Sequence, residues 1–320
     1  MFLALRELTF ARGRFALMGI VIALISVLVV FLSGLSSGLV NDGVSGLKSM
    51  ETTAFAFNEG TITDNAFSRS LVDNEQLATW QAAPGVEAAE PMGVSIVNGT
   101  TDDGQQVDLT LFGIEPGGFQ SPELSSGEQL SDDPAGIVVS ETAQAAGLEL
   151  GSVITLDRVG LEFTVVGFTQ GQATFGHVDI AYVPINTWRL LASNSATPGA
   201  PTPADVAALD YPYSSVIAIL ADDSADFEAI DAQAETMTMS RTEAFNASPG
   251  YEAETLTLNM IQVFLYIICA LVVGAFFTVW TIQRRGEISI LRAMGSSRAY
   301  LLRDSIAQAA ILLVTFTALG

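Results

Sequence analysis

The stretch Thr281–Arg303, TIQRRGEISILRAMGSSRAYLLR, sets five arginines directly against the end of an apolar run, Leu256–Ile282, that contains no Asp, Glu, Lys or Arg. Twenty-seven helical residues, rising about 1.5 Å each, cover the roughly 30 Å hydrocarbon layer of a bilayer with some tilt. Basic residues that flank a span collect on the cytoplasmic side. The run therefore reads as a transmembrane helix whose cytoplasmic end is marked by the arginines.

The other end of the chain repeats the pattern, because Phe15–Val40 is uncharged and follows Arg6, Arg12 and Arg14. A cleaved signal peptide is the plainer alternative, but its apolar core would run only about 7–15 residues before a small-residue cleavage site. Phe15–Leu32 is already longer and lacks an Ala-x-Ala site, which favours a retained helix. A third apolar run, Ser305–Gly320, follows the arginine cluster and has 16 residues, too few for a full crossing. It is expected to be the start of a third helix that the chain does not complete.

Hydrophobic residues make up 49% of the chain, beside a net charge of -22, and the two properties are segregated. Residues 41–255 carry 32 Asp and Glu against Lys48, Arg69, Arg158, Arg189 and Arg241, a net of -27; the rest nets +5. Acidic residues in a long translocated domain do not oppose its export, so this block is expected outside the cytoplasm. Nucleic acid is excluded as a partner, since its phosphates would be repelled. The acid excess itself reads as a solvated surface. Cys269 is the single cysteine and sits mid-span, so the outer block has no disulfide framework and must rely on an ordinary core.

Within that block the pattern mixes helix and strand. The first helix is expected to run past Val40 through NDGVSGLKSMETT, weakened by Gly43 and Gly46. Asp73 and Gln76 form a capping box for a short helix through Leu77 and Trp80 that Pro84-Gly85 ends. Strand patterns occupy Gly93–Val97, Val107–Phe112 and Gly136–Ser140, with turn signals at Asn98-Gly99 and Asp103-Gly104. Ser140 is placed to cap the helix ETAQAAG, closed by Gly147. Ser152–Leu156 and Glu162–Phe168 read as a hairpin around Arg158–Gly160, and Asp179–Val183 as a strand leading into a helix through Trp188 and Leu190. Asn194–Asp205 is a Pro-rich loop, after which Ser214–Leu220 and Ser224–Thr236 read as one strand and one helix.

The segment Arg285-Gly-Glu287-Ile-Ser-Ile-Leu-Arg292-Ala-Met-Gly295-Ser-Ser-Arg298 resembles the signature of FtsX-like, MacB-type ABC transporter permeases, in which a span ends in R-x-E-I-x-I-x-R-A-x-G-x-x-R. A second match lies in IVVSETAQAAGLELGSVITL followed by EFTVVGF, similar to that family's extracellular core. With the N-terminal amphipathic piece MFLALRELTFARGRF, the resemblance covers nearly the whole chain. It implies a membrane α-helical permease with a large α+β extracytoplasmic domain between the first and second spans. It also implies four spans per subunit, a homodimer, and two cytoplasmic ATPase subunits. The chain shows three of those spans, the third truncated. The implied organisation is residues 1–14 as a cytoplasmic helix, 15–40 and 256–282 as spans, 41–255 as the outer domain, 283–304 as a coupling segment and 305–320 as the third span. Localisation follows as a multi-pass protein of the bacterial plasma membrane with its N-terminus in the cytoplasm. Within the family, the first helix and the segment after it are similar to permeases that expel heme from Gram-positive bacteria.

This chain is not expected to be an ATPase itself, or any enzyme. A P-loop needs Gly-Lys-Ser/Thr after a glycine loop, and the only lysine, Lys48, follows Leu47. Ile288, Leu291 and Met294 repeat at helical spacing beside Arg285, Glu287, Arg292 and Arg298. Anchoring at the membrane border explains the arginines equally well; the resemblance implies that this segment contacts the ATPase. Gly34 and Gly38 form a GxxxG face on the first span, which permits close helix approach in a dimer seam or is simply lipid-facing.

No cofactor is expected to be intrinsic, and heme enters as the implied cargo. Met50 and Glu51 then become candidate iron ligands, since thioether sulfur and carboxylate oxygen can both donate to heme iron. Phe31, Leu35 and Leu39, with Met260 and Phe264 on the opposing span, would receive the porphyrin face, and Lys48 a propionate. The plainer reading makes Met50 and Glu51 an ordinary helix end. His177 lies in GQATFGHVD and is expected to be a solvated or locally hydrogen-bonded imidazole far above the membrane. Two rival functions stay open at this level: a non-transporting signal transmitter that controls a cell-wall hydrolase or sensor, and an exporter of lipid, lipoprotein or peptide.

Overall fold

The computed structural model describes residues 12–283 and 285–319. The expected N-terminal amphipathic helix therefore lies, through residue 11, outside the described residues. The chain divides into an inserted domain, residues 39–254, and the helical segments that flank it in sequence.

Helix α1, Arg12–Ser49, leads into the domain and is broken at Val44 (φ -144°, ψ 16°). Then follow β1 (Ala54–Asn58), α2 (Ala66–Arg69), β2 (Val72–Asp73), α3 (Asn74–Ala82), β3 (Val86–Thr101), β4 (Gln106–Ile114), β5 (Leu124–Gly127) and β6 (Gly136–Val139). The domain continues with α4 (Glu141–Ala145), β7 (Val153–Leu156), β8 (Glu162–Thr169), β9 (Thr174–Phe175), β10 (Val178–Pro184), α5 (Ile185–Ala192) and α6 (Pro203–Ala207). It closes with β11 (Tyr213–Ser214), β12 (Val216–Ala221), α7 (Phe227–Ala234), β13 (Thr236–Ser240) and a 3-10 turn at Glu243–Ala247.

The long strand β3 organises the sheet. Its first half pairs with β12, which continues through β1 to β13, and its second half pairs with β4. From β4 the pairing runs through β10, β6 and β8 to β7, and β7 returns to β3. Six strands thus close into a ring, which leaves no free edge between them. The strand period of two divides the apolar residues between two cores. Leu109, Leu111, Ile137, Val139, Ala181 and Val183 belong to one, with Phe163, Val165 and Trp188. Their chain neighbours Phe112, Val138 and Tyr182 belong to the other, with Phe55, Phe57, Phe67 and Phe175. Phe67 meets Phe55, Phe57 and Phe175 edge-on at 5.1–5.3 Å between ring centroids, the geometry that ring quadrupoles favour.

Several sequence expectations are corrected here. The helix entering the domain stops at Ser49 and does not reach Thr53, because the next residues are drawn into β1, where Phe55 and Phe57 are fully buried. Asn98-Gly99 is no turn; it lies inside β3, and only the Asp103-Gly104 signal is used. A side chain on Gly99 would begin 2.9 Å from Ile154 and 3.0 Å from the Thr155 carbonyl, so the glycine serves the close approach of β7. Ser140 stands at the N-cap position of α4 without capping it; its hydroxyl instead accepts from the Ala173 amide at 3.0 Å. The predicted helix Ser224–Thr236 is shorter, Phe227–Ala234, and is followed by β13.

Among the flanking segments, α8 spans Tyr251–Gln283, α9 Arg285–Ala293 and α10 Arg298–Leu319. Among the described residues, two helices, α1 from Met18 and α8, are long and apolar enough to cross a membrane. Met18 and Ile22 of α1 pack with Val273, Phe276, Phe277 and Trp280 of α8 and with Leu313 and Phe316 of α10.

Candidate functional site

The end of α1 delivers Met50 and Glu51 to a cavity of about 330 Å³ in the inserted domain, within the size range of small-ligand sites. Three remote pieces of chain complete its wall: Phe119–Glu123 in the loop between β4 and β5, Thr169, Gln170 and Ala173 from the end of β8 to the start of β9, and Tyr182 on β10. Met50 is 4% exposed and belongs to the aromatic core, whereas Glu51 is exposed. The Arg241 guanidinium donates to the Met50 carbonyl at 2.8 Å, which fixes the backbone where the helix ends.

The loop is held by Glu90 on β3. Its carboxylate accepts from the Phe119 amide at 3.1 Å and from Gln120 Nε2 at 3.2 Å. Gly118 allows this, because a side chain there would begin 2.4 Å from Glu90 Oε1. Gln120 is 2% exposed, yet its Oε1 has no protein partner, and neither has the Ser121 hydroxyl. Buried polar atoms are normally paired, so these two oxygens are unsatisfied groups buried in the loop that forms part of the wall, which also includes Met50, Glu51 and Glu123. Burial pushes the Tyr182 phenol well above its usual range, and the ring stays neutral. Gln120, Ser121 and Tyr182 were not singled out by sequence reasoning, since only the fold brings them beside Met50.

The remaining expected cargo residues are placed differently. Lys48 donates to Asn41 Oδ1 at 3.0 Å and lies over the Phe245 ring at 5.8 Å; it is not part of the cavity wall. Phe31, Leu35 and Leu39 of α1, and Met260 and Phe264 of α8, are all at least 40% exposed. Gly34 and Gly38 have open space where a side chain would begin.

In the arginine segment, α9 carries Arg285, Ile288 and Arg292, and Met294 just beyond it is 70% exposed. The side chains of Glu287 and Leu291 lie outside the described residues. Gly295 takes φ 98°, the left-handed conformation that ends helices, and Ser297 Oγ accepts from the Tyr300 amide at 3.2 Å. These two residues explain the Gly-Ser-Ser-Arg part of the motif: one stops α9, and the other opens the helix that starts at Arg298.

A six-stranded ring and a side sheet inserted between two apolar helices, with the Arg-rich helix after the second, define a MacB-type ABC permease, a membrane protein. The family model described as the MacB-like periplasmic core domain matches residues 15–237, and the chain belongs to that family. Over 317 residues it is 26% identical to a Staphylococcus epidermidis protein provisionally named hemin transport system permease protein HrtB, covering 98% of this chain and 81% of that one. An uncharacterized ABC transporter permease of Mycobacterium tuberculosis is 22% identical over 320 residues, covering 100% of this chain and 84% of that one. Among solved structures, the periplasmic region of MacB from Actinobacillus actinomycetemcomitans aligns with 16% identity and a TM-score of 0.42, over 60% of this chain and 89% of that one. The extracellular domain of YknZ, a noncanonic ABC-type transporter from Gram-positive bacteria, aligns with 14% identity and a TM-score of 0.40, over 59% and 98%.

Proposed function

We propose that this permease subunit exports heme, driven by ATP hydrolysis on two cytoplasmic ATPase subunits that act on a homodimer of this chain. The observation that carries the reading is the similarity to a hemin transport permease along 98% of the chain. The distribution of charge supports the orientation, with the eight flanking arginines inside and the acidic domain outside. The N-terminus is then cytoplasmic and the protein multi-pass, with α10 entering the membrane a third time. Segment α9, with its Arg-rich face and exposed Met294, transmits the ATPase motion. Nucleotide and cargo must favour different states of the dimer for such coupling to work.

Heme would reach the cavity from the lipid, with Glu51 and the Met50 sulfur as candidate donors to its iron. The experiment is hemin-stimulated ATP hydrolysis by the complex reconstituted in lipid. Stimulation that survives loss of both donors unchanged removes them from the site, and an absence of any hemin stimulation removes heme as cargo.

A further inference from the structure

His177 is the single histidine of the chain; it is exposed and hydrogen-bonded, but its two partners lie far away in sequence. Gly176 (φ 60°) and His177 (φ 64°) form the two-residue turn between β9 and β10, a hairpin type that needs positive φ at both positions. This turn rests on the domain end of α1. The Gly176 amide donates to the Gly43 carbonyl at 2.9 Å, and the Thr174 amide donates to Ser45 Oγ at 2.9 Å.

From this seat the imidazole reaches two helices. Nδ1 lies 2.9 Å from Asp42 Oδ2 on α1, and Nε2 lies 2.9 Å from Glu254 Oε2 in the first turn of α8. A neutral imidazole carries one N–H and can donate to only one of these carboxylates; the other would face a lone pair. Only the imidazolium satisfies both. Asp42 is held in place through its other oxygen by Gln172 Nε2. The charged groups that act on the ring are Asp42 from α1 and Glu254 from α8; Tyr251 of α8 lies beside Gly43, as the imidazole does. Lys48 is engaged by Asn41.

We propose that His177 is a proton-operated clamp: doubly protonated, it ties the domain ends of α1 and α8 to the β9–β10 turn, and loss of one proton releases one of the two helices. The clamp sits inside the inserted domain, so the permease would sense the pH of the compartment holding that domain. It does not depend on which cargo is carried. Partial burial lowers the pKa of His177, but the hydrogen bonds and charges of Asp42 and Glu254 outweigh it and raise the value overall. A group whose folded pKa is raised contributes fully below its unfolded value, about 6.5 for histidine, and loses that contribution as pH rises through the folded pKa.

The test uses the full chain in lipid nanodiscs. One histidine gives one imidazole NMR signal, which should titrate above about 6.5 in the wild type and shift downward in Asp42→Asn and in Glu254→Gln. Over the same pH interval, hydrogen-exchange protection of the amides at residues 174–178 and 252–256, corrected for intrinsic rate, should fall in the wild type. It should be independent of pH in His177→Gln. A signal that titrates at or below the free-histidine value overturns the clamp, as does a protection profile that His177→Gln leaves unchanged. Should His177→Gln fail to fold, the two carboxylate variants decide: a titration that neither of them moves overturns the clamp as well.

Discussion

Gly93 on β3 and Gly113 on β4 are direct partners in the strand register, and together they form the seat of the Trp188 side chain. A side-chain carbon on Gly93 would fall 2.1 Å from Trp188 Cδ2, and one on Gly113 would fall 2.4 Å from Trp188 Cβ. Trp188 is 3% exposed and donates from Nε1 to Ser95 Oγ at 2.9 Å. The ring is therefore fixed at its edge as well as beneath its face.

Gly93→Ala and Gly113→Ala should each destabilise the domain by about 1–3 kcal/mol through overpacking. Gly113→Ala should be the worse, because Cβ of Trp188 cannot swing aside without moving the helix backbone. Urea unfolding of the full chain, followed by tryptophan emission, measures both. A double change tests the cause: in a Trp188→Ala background the added methyl on Gly93 should cost almost nothing. Equal cost in both backgrounds would place the strain elsewhere.

Gln76 acts beyond its own helix. Its Oε1 accepts from the Asp73 amide at 3.0 Å, completing the capping box, while Nε2 lies 3.0–3.1 Å from Asn58 Oδ1 and the carbonyls of Ala234 and Glu235. A glutamate at this position satisfies a capping box equally well, but here it would set a carboxylate against three oxygen acceptors. Gln76→Glu should therefore lower the melting temperature at neutral pH and recover part of the loss in acid, where the carboxyl is protonated and can donate. A purely local cap predicts no loss.

That residue also marks how far sequence carries. The capping box was legible because both of its partners lie within four residues, and the strands Val107–Phe112 and Asp179–Val183 were legible from their apolar runs. Neither the ring closure by β7 nor the seat of Trp188 was, since each depends on pairings between segments tens of residues apart. Strand β1 was hidden for another reason: AFAFN follows directly from a helix that the sequence allows to continue, and only the aromatic core around Phe67 terminates it. At the candidate site, Met50 and Glu51 were legible as chemistry, but Gln120, Ser121 and Tyr182 were not, because polar loops and strand tyrosines are common and only the fold assembles them. The two carboxylates around His177 lie 135 and 77 residues away in sequence, beyond the reach of any local pattern.

Glu115 provides a pH-dependent test of the inserted domain. Burial raises its pKa, opposed by the charge of Arg189 and reinforced by Glu90 and Asp132. Its proton is held more tightly in the folded state, so the contribution to stability is complete below the unfolded pKa, about 4.3, and declines as pH rises through the folded value. Glu115→Gln should consequently raise the melting temperature near pH 7 relative to wild type and leave it nearly unchanged near pH 3.5. The reverse order would show that the attraction of the Arg189 charge dominates.

The cargo donors need separate handling, because the structure gives them unequal structural burdens. Met50 is a 4% exposed core residue, and Met50→Ala is expected to cost about 2–5 kcal/mol, which would confuse misfolding with loss of a ligand. Met50→Leu keeps the volume at a cost below about 1.5 kcal/mol and removes only the sulfur. Glu51 is exposed, so Glu51→Gln should leave stability within about 0.5 kcal/mol and weaken only the oxygen donor. On the proposed reading, each conservative variant shifts the hemin absorption spectrum of the purified permease and weakens hemin binding about tenfold or more, equivalent to ~1.4 kcal/mol, with the melting temperature nearly preserved. If Met50→Leu alters neither spectrum nor affinity while Glu51→Gln alters both, the sulfur is a core atom and the carboxylate alone faces the iron. If both variants bind hemin as the wild type does, the cavity at the end of α1 is not where heme is held.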